Sequence, residues 1–159
     1  MKKVLLVDWA KCTGCETCVD VCSGYKAGAY SEKASRIRIQ KNEIEAAFIP
    51  LVCEQCREHP CIDVCPVDAI QYDEGLSIFT VDEDTCTGCG ACEEACPYHG
   101  IFTSDGRVLK CDLCGGKPAC VPACYPKALL YVDATNESIM ADLEHKMDKL
   151  KKIRSDLHE

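Results

Sequence analysis

The chain has 159 residues, 16 of them cysteine, and a formal net charge of −8. This length fits one or two small domains, and the acidic balance argues against a nucleic acid as partner. So high a cysteine content, in a chain with few aromatic residues, indicates that metal or disulfide bonds organise much of the fold.

The N-terminal segment predicts an edge strand over residues 2–7, which leads into the first group of cysteines. Its apolar run ends at Asp8, too early for a signal peptide. No later segment approaches the ~20 apolar residues that a membrane helix needs, so we expect no membrane span and a cytoplasmic location. Thiols stay reduced in the cytoplasm, which favours metal binding over disulfide bonds.

Three pairs of short segments between the cysteine groups predict β-hairpins, and a last segment predicts a strand. The paired segments are residues 36–40 with 44–52, 69–72 with 76–81, and 101–103 with 107–109, and the single strand covers 129–132. Asp-Glu-Gly and Ser-Asp-Gly turns connect the second and third pairs. We therefore predict a metal-binding domain over residues 1–132.

Residues 133–159 differ in character, because cysteine, glycine and proline are absent from this stretch. Apolar side chains recur there at steps of three or four, which predicts an amphipathic helix with Thr135 or Asn136 at its start. Lysines and an arginine crowd its second half, where the helix dipole favours positive charge. The pattern fits a helix that packs on its own domain and a helix that docks to a partner equally well.

The cysteines fall into four motifs of four residues each. The third motif is the most regular: it reads Cys-x2-Cys-x2-Cys-x3-Cys-Pro, the spacing that holds cubane iron–sulfur clusters in bacterial ferredoxins. In two-cluster ferredoxins the first three cysteines bind one cluster, and the fourth, on the helix that follows, binds the neighbouring cluster. The motifs in chain order are Cys12, Cys15, Cys18 and Cys22; Cys53, Cys56, Cys61 and Cys65; Cys86, Cys89, Cys92 and Cys96; and Cys111, Cys114, Cys120 and Cys124.

The first and third motifs share more than their cysteine spacing. Asp8 and Asp82 each stand four residues before the first cysteine of a motif, and a Thr-Gly pair follows that cysteine in both motifs. The second and fourth motifs share a longer gap before their third cysteine. This A-B-A′-B′ order predicts a duplicated unit.

Iron is the predicted metal, and zinc is the main alternative. Zinc ribbons use two separated Cys-x2-Cys pairs and need neither a third cysteine on the same loop nor a fourth on a following helix. Each motif here supplies four thiolates, so no iron is left open to a substrate. No glycine-rich nucleotide fingerprint or P-loop occurs either. We therefore predict electron transfer rather than catalysis.

Further residues near the cysteines could modify such clusters. His59 and His99 could tune a potential or carry protons, although a histidine that hydrogen-bonds locally in a loop is the simpler interpretation. A nearby lysine would favour the reduced cluster, although a solvated lysine is the commoner case. The lysines concerned are Lys26, Lys110, Lys117 and Lys127.

Residues 3–132 resemble the iron–sulfur subunits of the dimethyl sulfoxide reductase and formate dehydrogenase family. The similarity lies in four motifs in this order, and the segment CEQCREHPCIDVCPVDAI is particularly close to the family's second motif. The fourth motif has a short five-residue gap and long inserts are absent. In this the chain is similar to the compact subunits that accompany tungsten aldehyde oxidoreductases, carbon monoxide dehydrogenases and some hydrogenases. The resemblance implies an α+β fold of tandem, nested bacterial-ferredoxin-like units, followed by the C-terminal helix.

The same resemblance implies four [4Fe–4S] clusters with nested ligation, in which the second motif pairs with the third and the first with the fourth. The implied ligand sets are Cys12, Cys15, Cys18 and Cys124; Cys111, Cys114, Cys120 and Cys22; Cys53, Cys56, Cys61 and Cys96; and Cys86, Cys89, Cys92 and Cys65. A competing scheme pairs the first motif with the second and the third with the fourth.

A row of four clusters is typical of an electron-transfer subunit rather than of a free shuttle protein. By resemblance, the partner is a large catalytic oxidoreductase subunit with a molybdenum or tungsten pterin cofactor, such as an aldehyde oxidoreductase. A flavin or ferredoxin carrier could serve the other end of the row, and copies of the chain could associate through their clusters. A hydrogenase or carbon monoxide dehydrogenase partner and a free polyferredoxin are the alternatives.

Overall fold

The computed structural model describes residues 3–42 and 47–134, and these ranges contain eight short strands and four α-helices. The strands are β1 (Lys3–Val7), β2 (Ile37–Asn42), β3 (Ala47–Val52), β4 (Ile70–Asp73), β5 (Ile78–Val81), β6 (Ile101–Ser104), β7 (Arg107–Lys110) and β8 (Leu129–Asp133). The helices are α1 (Thr17–Ala27), α2 (Pro60–Asp63), α3 (Ala91–Glu94) and α4 (Cys120–Ala123). None of these helices is long and apolar enough to span a membrane. The predicted C-terminal helix lies outside the described residues.

The three predicted hairpins are confirmed. β2 pairs with β3, β4 with β5, and β6 with β7, each in antiparallel register. In the turn between β6 and β7, Asp105 and Gly106 have φ angles of 51° and 73°. A two-residue turn with both central residues at positive φ matches the twist of the flanking strands, which explains why the Asp-Gly pair was a reliable signal.

β1 and β8 form the remaining antiparallel pair, which joins the two ends of the metal-binding region. The register runs from Lys3 opposite Asp133 to Val7 opposite Leu129. Both strands were predicted from the sequence and are confirmed, but their pairing was not predicted. Since the first motif follows β1 and the fourth motif precedes β8, this pairing brings the first and fourth motifs side by side.

The described residues form two apolar cores: the first combines cysteines from the first, second and fourth motifs, and the second combines cysteines from the second and third motifs. The first core contains Cys18, Cys22, Cys111, Cys120 and Cys124, packed with aliphatic residues that include Leu5, Val19, Ile37, Leu113 and Leu129. The second core contains Cys61, Cys92 and Cys96, with Ile70, Tyr98, Ile101 and Val108. Cys53 of the second motif belongs to the first core and so connects the two. We call the first and fourth motifs with β1, β2, β3 and β8 the outer half. The second and third motifs with β4, β5, β6 and β7 are the inner half.

The two halves touch where β6 begins against the end of β3. A Cβ at Gly100 would lie 2.2 Å from the carbonyl oxygen of Val52 and 2.7 Å from the backbone nitrogen of Cys53. Both distances are far below van der Waals contact, so this approach requires a residue without a side chain. Close by, the Arg38 guanidinium lies 4.3 Å from the centre of the Phe102 ring, a cation–π distance. The start of β6 is therefore fixed against the cysteine that opens the second motif.

Candidate iron–sulfur centres

A helix follows the cysteine loop in every motif and carries the third cysteine. α1 contains Cys18 and Cys22, and the four-residue helices α2, α3 and α4 contain Cys61, Cys92 and Cys120. These third cysteines are buried. Each helix thus turns one thiol inward, toward the core of its half.

The prediction that the fourth cysteine also lies on this helix is correct for Cys22 and wrong for the other motifs. Cys65 and Cys96 lie beyond the last residues of α2 and α3, and Cys124 directly follows α4. A proline follows both Cys65 and Cys96, and the residue before a proline is disfavoured in the helical region. Cys22 is followed by Ser23 instead, so α1 continues past it.

Four thiols of the outer half surround one cavity, and we call them the first-motif set. Cys12, Cys15 and Cys18 line this cavity together with Cys124. Burial raises the pKa of Cys18 to about 12, and the neighbouring thiols of the set also raise it. Cys15 is exposed, and the Thr17 hydroxyl, 3.5 Å from its sulfur, donates a hydrogen bond that lowers its pKa. The set joins cysteines from opposite ends of the metal-binding region.

A cavity in the inner half has the same composition, and its cysteines form the third-motif set. Cys86, Cys89 and Cys92 line it together with Cys65. Burial raises the pKa of Cys92 to about 11, and the other three thiols act in the same direction. Cys89 is exposed, so this set, like the first-motif set, has one sulfur at the surface.

The second-motif set consists of Cys53, Cys56, Cys61 and Cys96. Burial raises the pKa of Cys61 to about 11, and the other three thiols raise it as well, while the positive charge of Lys110 lowers it. Cys53, Cys61 and Cys96 are buried, and Cys56 is partly exposed. This set therefore lies deeper in the molecule than the two sets that line the cavities.

The fourth-motif set consists of Cys111, Cys114, Cys120 and Cys22. Burial raises the pKa of Cys120, and the nearby thiols of Cys111, Cys22 and Cys114 raise it further. Cys114 is partly exposed and the other three are buried. In each of the four sets that the resemblance implied, the fourth thiol thus adds to the effect of burial on the pKa of the third cysteine.

Two equivalent backbone hydrogen bonds connect the motifs in the two halves, one between the first and fourth motifs and one between the third and second motifs. The Asp8 N–H, before the first motif, donates to the Ala128 carbonyl, after the fourth motif, at 2.8 Å. The Asp82 N–H, before the third motif, donates to the Ala69 carbonyl, after the second motif, at 2.7 Å. Ala128 and Ala69 each stand four residues after the last cysteine of their motif. The aspartates shared in the sequence repeat therefore mark the same junction in both halves.

Backbone N–H groups also point at the sulfurs of three fourth cysteines. The donor and sulfur pairs are Arg36 to Cys22 at 3.3 Å, Ala69 to Cys65 at 3.3 Å, and Gly100 to Cys96 at 3.4 Å. Hydrogen bonds to sulfur stabilise a thiolate and influence the potential of a cluster that it binds. These three sulfurs thus each accept a backbone hydrogen bond that holds them in place.

The donor chemistry of the sets fits cubane clusters. Four thiols packed together cannot all ionise unless a cation compensates their charge, and bound metal displaces their protons. In the ranges 3–42 and 47–134, no three cysteine, histidine or carboxylate groups meet closely enough to hold a single metal ion. A cube binds each thiolate through a different iron, so its ligands stand farther apart than those of one ion. Four thiolates in each set match the four irons of one cube.

The lysines near the motifs differ in their surroundings, and the commoner case of a solvated lysine holds for two of the four. Lys110 is buried, with 5% of its surface exposed, although a solvated side chain was expected. Lys26 is partly buried, and its ammonium lies 2.6 Å from Asp112. Lys117 and Lys127 are exposed, as expected. No local sequence pattern distinguishes Lys110, because its burial depends on segments that are distant along the chain.

The two histidines lie in turns beside the cysteines. His59 and His99 adopt φ angles of 45° and 47°, in the left-handed region. The His59 ring lies 4.4 Å from the Phe79 ring, centre to centre. Both histidines are therefore loop residues, and the His59 ring packs against a residue of β5.

Asp112 holds two cations next to the fourth-motif set. Its Oδ2 lies 2.6 Å from Lys26 Nζ and 2.7 Å from an Arg36 guanidinium nitrogen. Its Oδ1 accepts a hydrogen bond from the Cys114 N–H at 3.0 Å. Burial alone would raise the pKa of Asp112, but its bonds to Lys26, Arg36 and Cys114 lower it overall. The carboxylate therefore connects α1, the segment before β2 and the fourth motif.

Replacing Asp112 by asparagine is expected to destabilise the protein by about 1–3 kcal/mol, because Lys26 and Arg36 would lose their shared partner in a partly buried site. A depressed pKa stabilises the fold above the unfolded-state pKa, and this contribution is lost as the pH falls through the folded-state pKa. The difference between Asp112→Asn and the wild type should therefore shrink in acid. Denaturant unfolding at neutral and acidic pH measures both effects. The control is Asp105→Asn in an exposed turn, and equal losses for the two variants would contradict the prediction.

Two family models match the chain, and each is described as a 4Fe–4S dicluster domain. One covers residues 44–135 and the other covers residues 11–69. The first alone covers more than half of the 159 residues. Together the two matches include all four cysteine motifs.

Similar curated proteins are ferredoxins and oxidoreductase subunits. An uncharacterized ferredoxin of Methanocaldococcus jannaschii is 38% identical over 154 residues, which are 96% of this chain and 85% of that protein. The polyferredoxin-like subunit of an aliphatic sulfonate oxidoreductase of Pyrococcus furiosus is 39% identical over 123 residues, 76% of this chain and 70% of that subunit. The beta subunit of the NADH-dependent phenylglyoxylate dehydrogenase of Aromatoleum evansii is 38% identical over 133 residues, 81% of this chain and 30% of that subunit.

A solved structure has a similar fold. A chain of the active-site complex BamBC of benzoyl coenzyme A reductase, as isolated, superposes with a TM-score of 0.50, over 99% of this chain and 97% of that chain, at 24% identity. This likeness concerns the fold alone. The family matches, the ferredoxin relatives and the cysteine sets lead to one assignment. The chain belongs to the 4Fe–4S dicluster domain family and is an iron–sulfur protein of the ferredoxin, electron-transfer type.

Proposed function

We propose that the chain binds four [4Fe–4S] clusters with nested ligation and conducts electrons for a larger oxidoreductase. The observation that carries this proposal is the composition of the four sets, in each of which the fourth thiol comes from the paired motif and acts on the buried third cysteine. In two of the sets all four thiols line one cavity. The equivalent hydrogen bonds of Asp8 and Asp82 support the same pairing. The domain boundary near residue 132 and the cytoplasmic location stay predictions.

Electrostatic interactions between thiols, together with helix packing, support a single row. Cys120 of the fourth-motif set interacts with Cys18 of the first-motif set. Cys111 of the fourth-motif set interacts with Cys53 of the second-motif set. α2 packs on α3, which joins the second-motif set to the third-motif set. In this proposal the sets follow one another as first, fourth, second and third, an order that differs from their order along the chain.

The proposed row has accessible ends and a buried middle. Cys15 of the first-motif set and Cys89 of the third-motif set are exposed, whereas most thiols of the two middle sets are buried. When bound, such clusters accept and release single electrons. The chain's own residues keep water away from the middle sets and leave one sulfur of each end set where a partner can approach.

We infer that a large catalytic subunit contacts one end of the row. The Pyrococcus furiosus and Aromatoleum evansii relatives are both named as oxidoreductase subunits, which supports a subunit role here. A molybdenum or tungsten pterin cofactor in that partner is proposed from the family resemblance of residues 3–132. A flavin or ferredoxin carrier would serve the other end. The chain itself would convert no organic substrate, because its 16 cysteines are all assigned as cluster ligands.

Protein purified without oxygen is expected to be brown and to contain about 16 irons per chain, since each set should hold four. Its absorbance near about 400 nm should bleach when a low-potential donor reduces it, and the reduced protein should pass electrons to a dye. It should convert no organic substrate unless its partner is added. Iron analysis, the optical titration and activity assays test these points.

Other outcomes would separate the alternatives. A colourless protein that contains zinc would overturn the cluster assignment, and about eight irons per chain would restrict it to one half. Substrate turnover by the isolated chain would overturn the non-catalytic role. Co-purification from the native source, with metal analysis of the associated subunit, distinguishes a pterin enzyme from a hydrogenase, a carbon monoxide dehydrogenase or a free polyferredoxin.

A further inference from the structure

Lys110 is a buried cation at the boundary between the outer and inner halves. It ends β7 directly before Cys111, and only 5% of its surface is exposed. Lysine is rarely buried to this degree, and a buried ammonium group is costly unless polar or charged partners surround it. The partners of Lys110 therefore indicate what its charge does.

Neutral acceptors hold the ammonium group in place. Lys110 Nζ lies 3.1 Å from Gln55 Oε1 and 2.6 Å from the Phe79 carbonyl oxygen. Gln55 is itself fixed, because its amide nitrogen donates to the Cys111 carbonyl at 2.8 Å. Neither acceptor is charged, so together they fix the position of the positive charge without cancelling it.

The carboxylates near Lys110 have other partners. Asp73, Glu83 and Asp112 line the same polar cavity as Lys110, and Asp73 accepts a hydrogen bond from the Leu76 N–H. Asp112 pairs with Lys26 and Arg36, and Glu83 pairs with Arg36. In the described part of the chain, no carboxylate forms an ion pair with Lys110. Its charge is thus left for groups that are not carboxylates.

The Lys110 charge lies beside the loop of the second-motif set. Gln55, whose Oε1 lies 3.1 Å from the Lys110 Nζ, stands between Cys53 and Cys56 in that loop. Burial raises the pKa of Cys53 and of Cys61, and the positive charge of Lys110 opposes that rise at both thiols. Both thiols are buried, so little water lies between them and the ammonium group to weaken the attraction. A cluster bound by this set would therefore lie next to a fixed positive charge.

We propose that Lys110 raises the reduction potential of the cluster held by the second-motif set, so that the first electron to enter the row resides in its interior. Uptake of one electron from an external low-potential donor adds one negative charge to that cluster and moves no atoms. A buried positive charge beside the ligands stabilises the added charge. This inference rests on the proposed four-cluster function.

The test is a redox titration of the complete, cluster-loaded chain, followed by electron paramagnetic resonance. Lys110→Gln is expected to lower the equilibrium constant for reduction of one cluster at least tenfold, which corresponds to a reduction potential lower by about 59 mV for one electron. The potentials of the other clusters should stay nearly unchanged. Lys110→Arg keeps the charge and should keep the potential. Lys117→Gln is the matched control, because Lys117 is an exposed lysine within the fourth motif, a few residues after Lys110, and it should cause no shift.

Gln55→Glu provides an independent test that leaves Lys110 in place. It puts a carboxylate at the position that now lies 3.1 Å from Nζ, so the positive charge is cancelled and the same cluster should again become harder to reduce. Cys56→Ala identifies that cluster, since it removes a ligand of the second-motif set and should abolish the same signal. If Lys110→Gln does not fold, Gln55→Glu alone decides.

Unchanged potentials in both charge variants, with about 16 irons bound, would overturn the role of Lys110 and leave the four-cluster function intact. A shift in a signal that Cys56→Ala does not affect would also overturn it, because Lys110 would then act on another set. A wild-type chain that binds no iron would instead refute the four-cluster function, and this inference with it.

Discussion

Alanine at Cys124 together with alanine at Cys15 is expected to leave about 12 irons per chain, the same number as either single variant. Nested ligation assigns both cysteines to the first-motif set, so the second substitution removes a ligand of a cluster that is already lost. Alanine at Cys124 together with alanine at Cys120 should leave only about eight irons, because these neighbours in sequence would bind different clusters. Iron analysis and electron paramagnetic resonance of matched preparations measure both results.

The competing ligation schemes give different patterns. If each motif bound its own cluster, the variant at Cys124 and Cys120 would retain about 12 irons and the variant at Cys124 and Cys15 only about eight. If the third motif paired with the fourth, Cys124 would share a cluster with Cys86. A variant with alanine at both Cys124 and Cys86 would then retain about 12 irons. Either pattern would contradict nested ligation, whatever the total iron content of the wild type.

Gly100→Ala is expected to cost about 3 kcal/mol or more, because the new Cβ would lie 2.2 Å from the Val52 carbonyl oxygen. The atoms on both sides are backbone, so no side-chain rotation relieves the overlap and β6 must move away from β3. That movement would also break the hydrogen bond, 3.4 Å long, from the Gly100 N–H to the Cys96 sulfur. Denaturant unfolding, followed by cluster absorbance and by circular dichroism, measures the loss.

Gly75→Ala is the matched control for this substitution. A Cβ at Gly75 would lie 3.2 Å from the Asp73 carboxylate, which is a flexible side chain and can move. Neither Gly100 nor Gly75 has a positive φ, so alanine causes no backbone strain at either position. The difference in stability between the two variants therefore measures the lack of space for a Cβ at Gly100. Equal stability of the two variants would mean that the junction between the halves yields easily, contrary to the prediction.

Features with local causes could be predicted from the sequence. The Asp105-Gly106 pair specifies a tight turn by itself, and the spacing within each motif specifies a cysteine loop. The prolines after Cys65 and Cys96 carried a further signal that the prediction of the fourth cysteine did not use, since a residue before proline tends to leave the helix. That rule would have placed both cysteines beyond their helices.

Features that depend on distant segments could not be predicted in this way. The burial of Lys110 requires Gln55, inside the second motif, and Phe79, in β5, which are both distant from it along the chain. The pairing of Asp8 with Ala128 has the same character. The resemblance to a family implied which motifs pair, whereas composition and spacing left two schemes open.

The pairing of the first strand with the last affects the order in which the protein can fold during its synthesis. The inner half consists of neighbouring hairpins, so a nascent chain can form it soon after β7 leaves the ribosome. The outer half closes only when Leu129 reaches Val7 and Asp133 reaches Lys3. Under the proposed nested ligation, the thiols of the first motif lack until then the cysteine that completes their set, Cys124. The ribosome makes these thiols first, yet they are among the last to be ready for metal delivery.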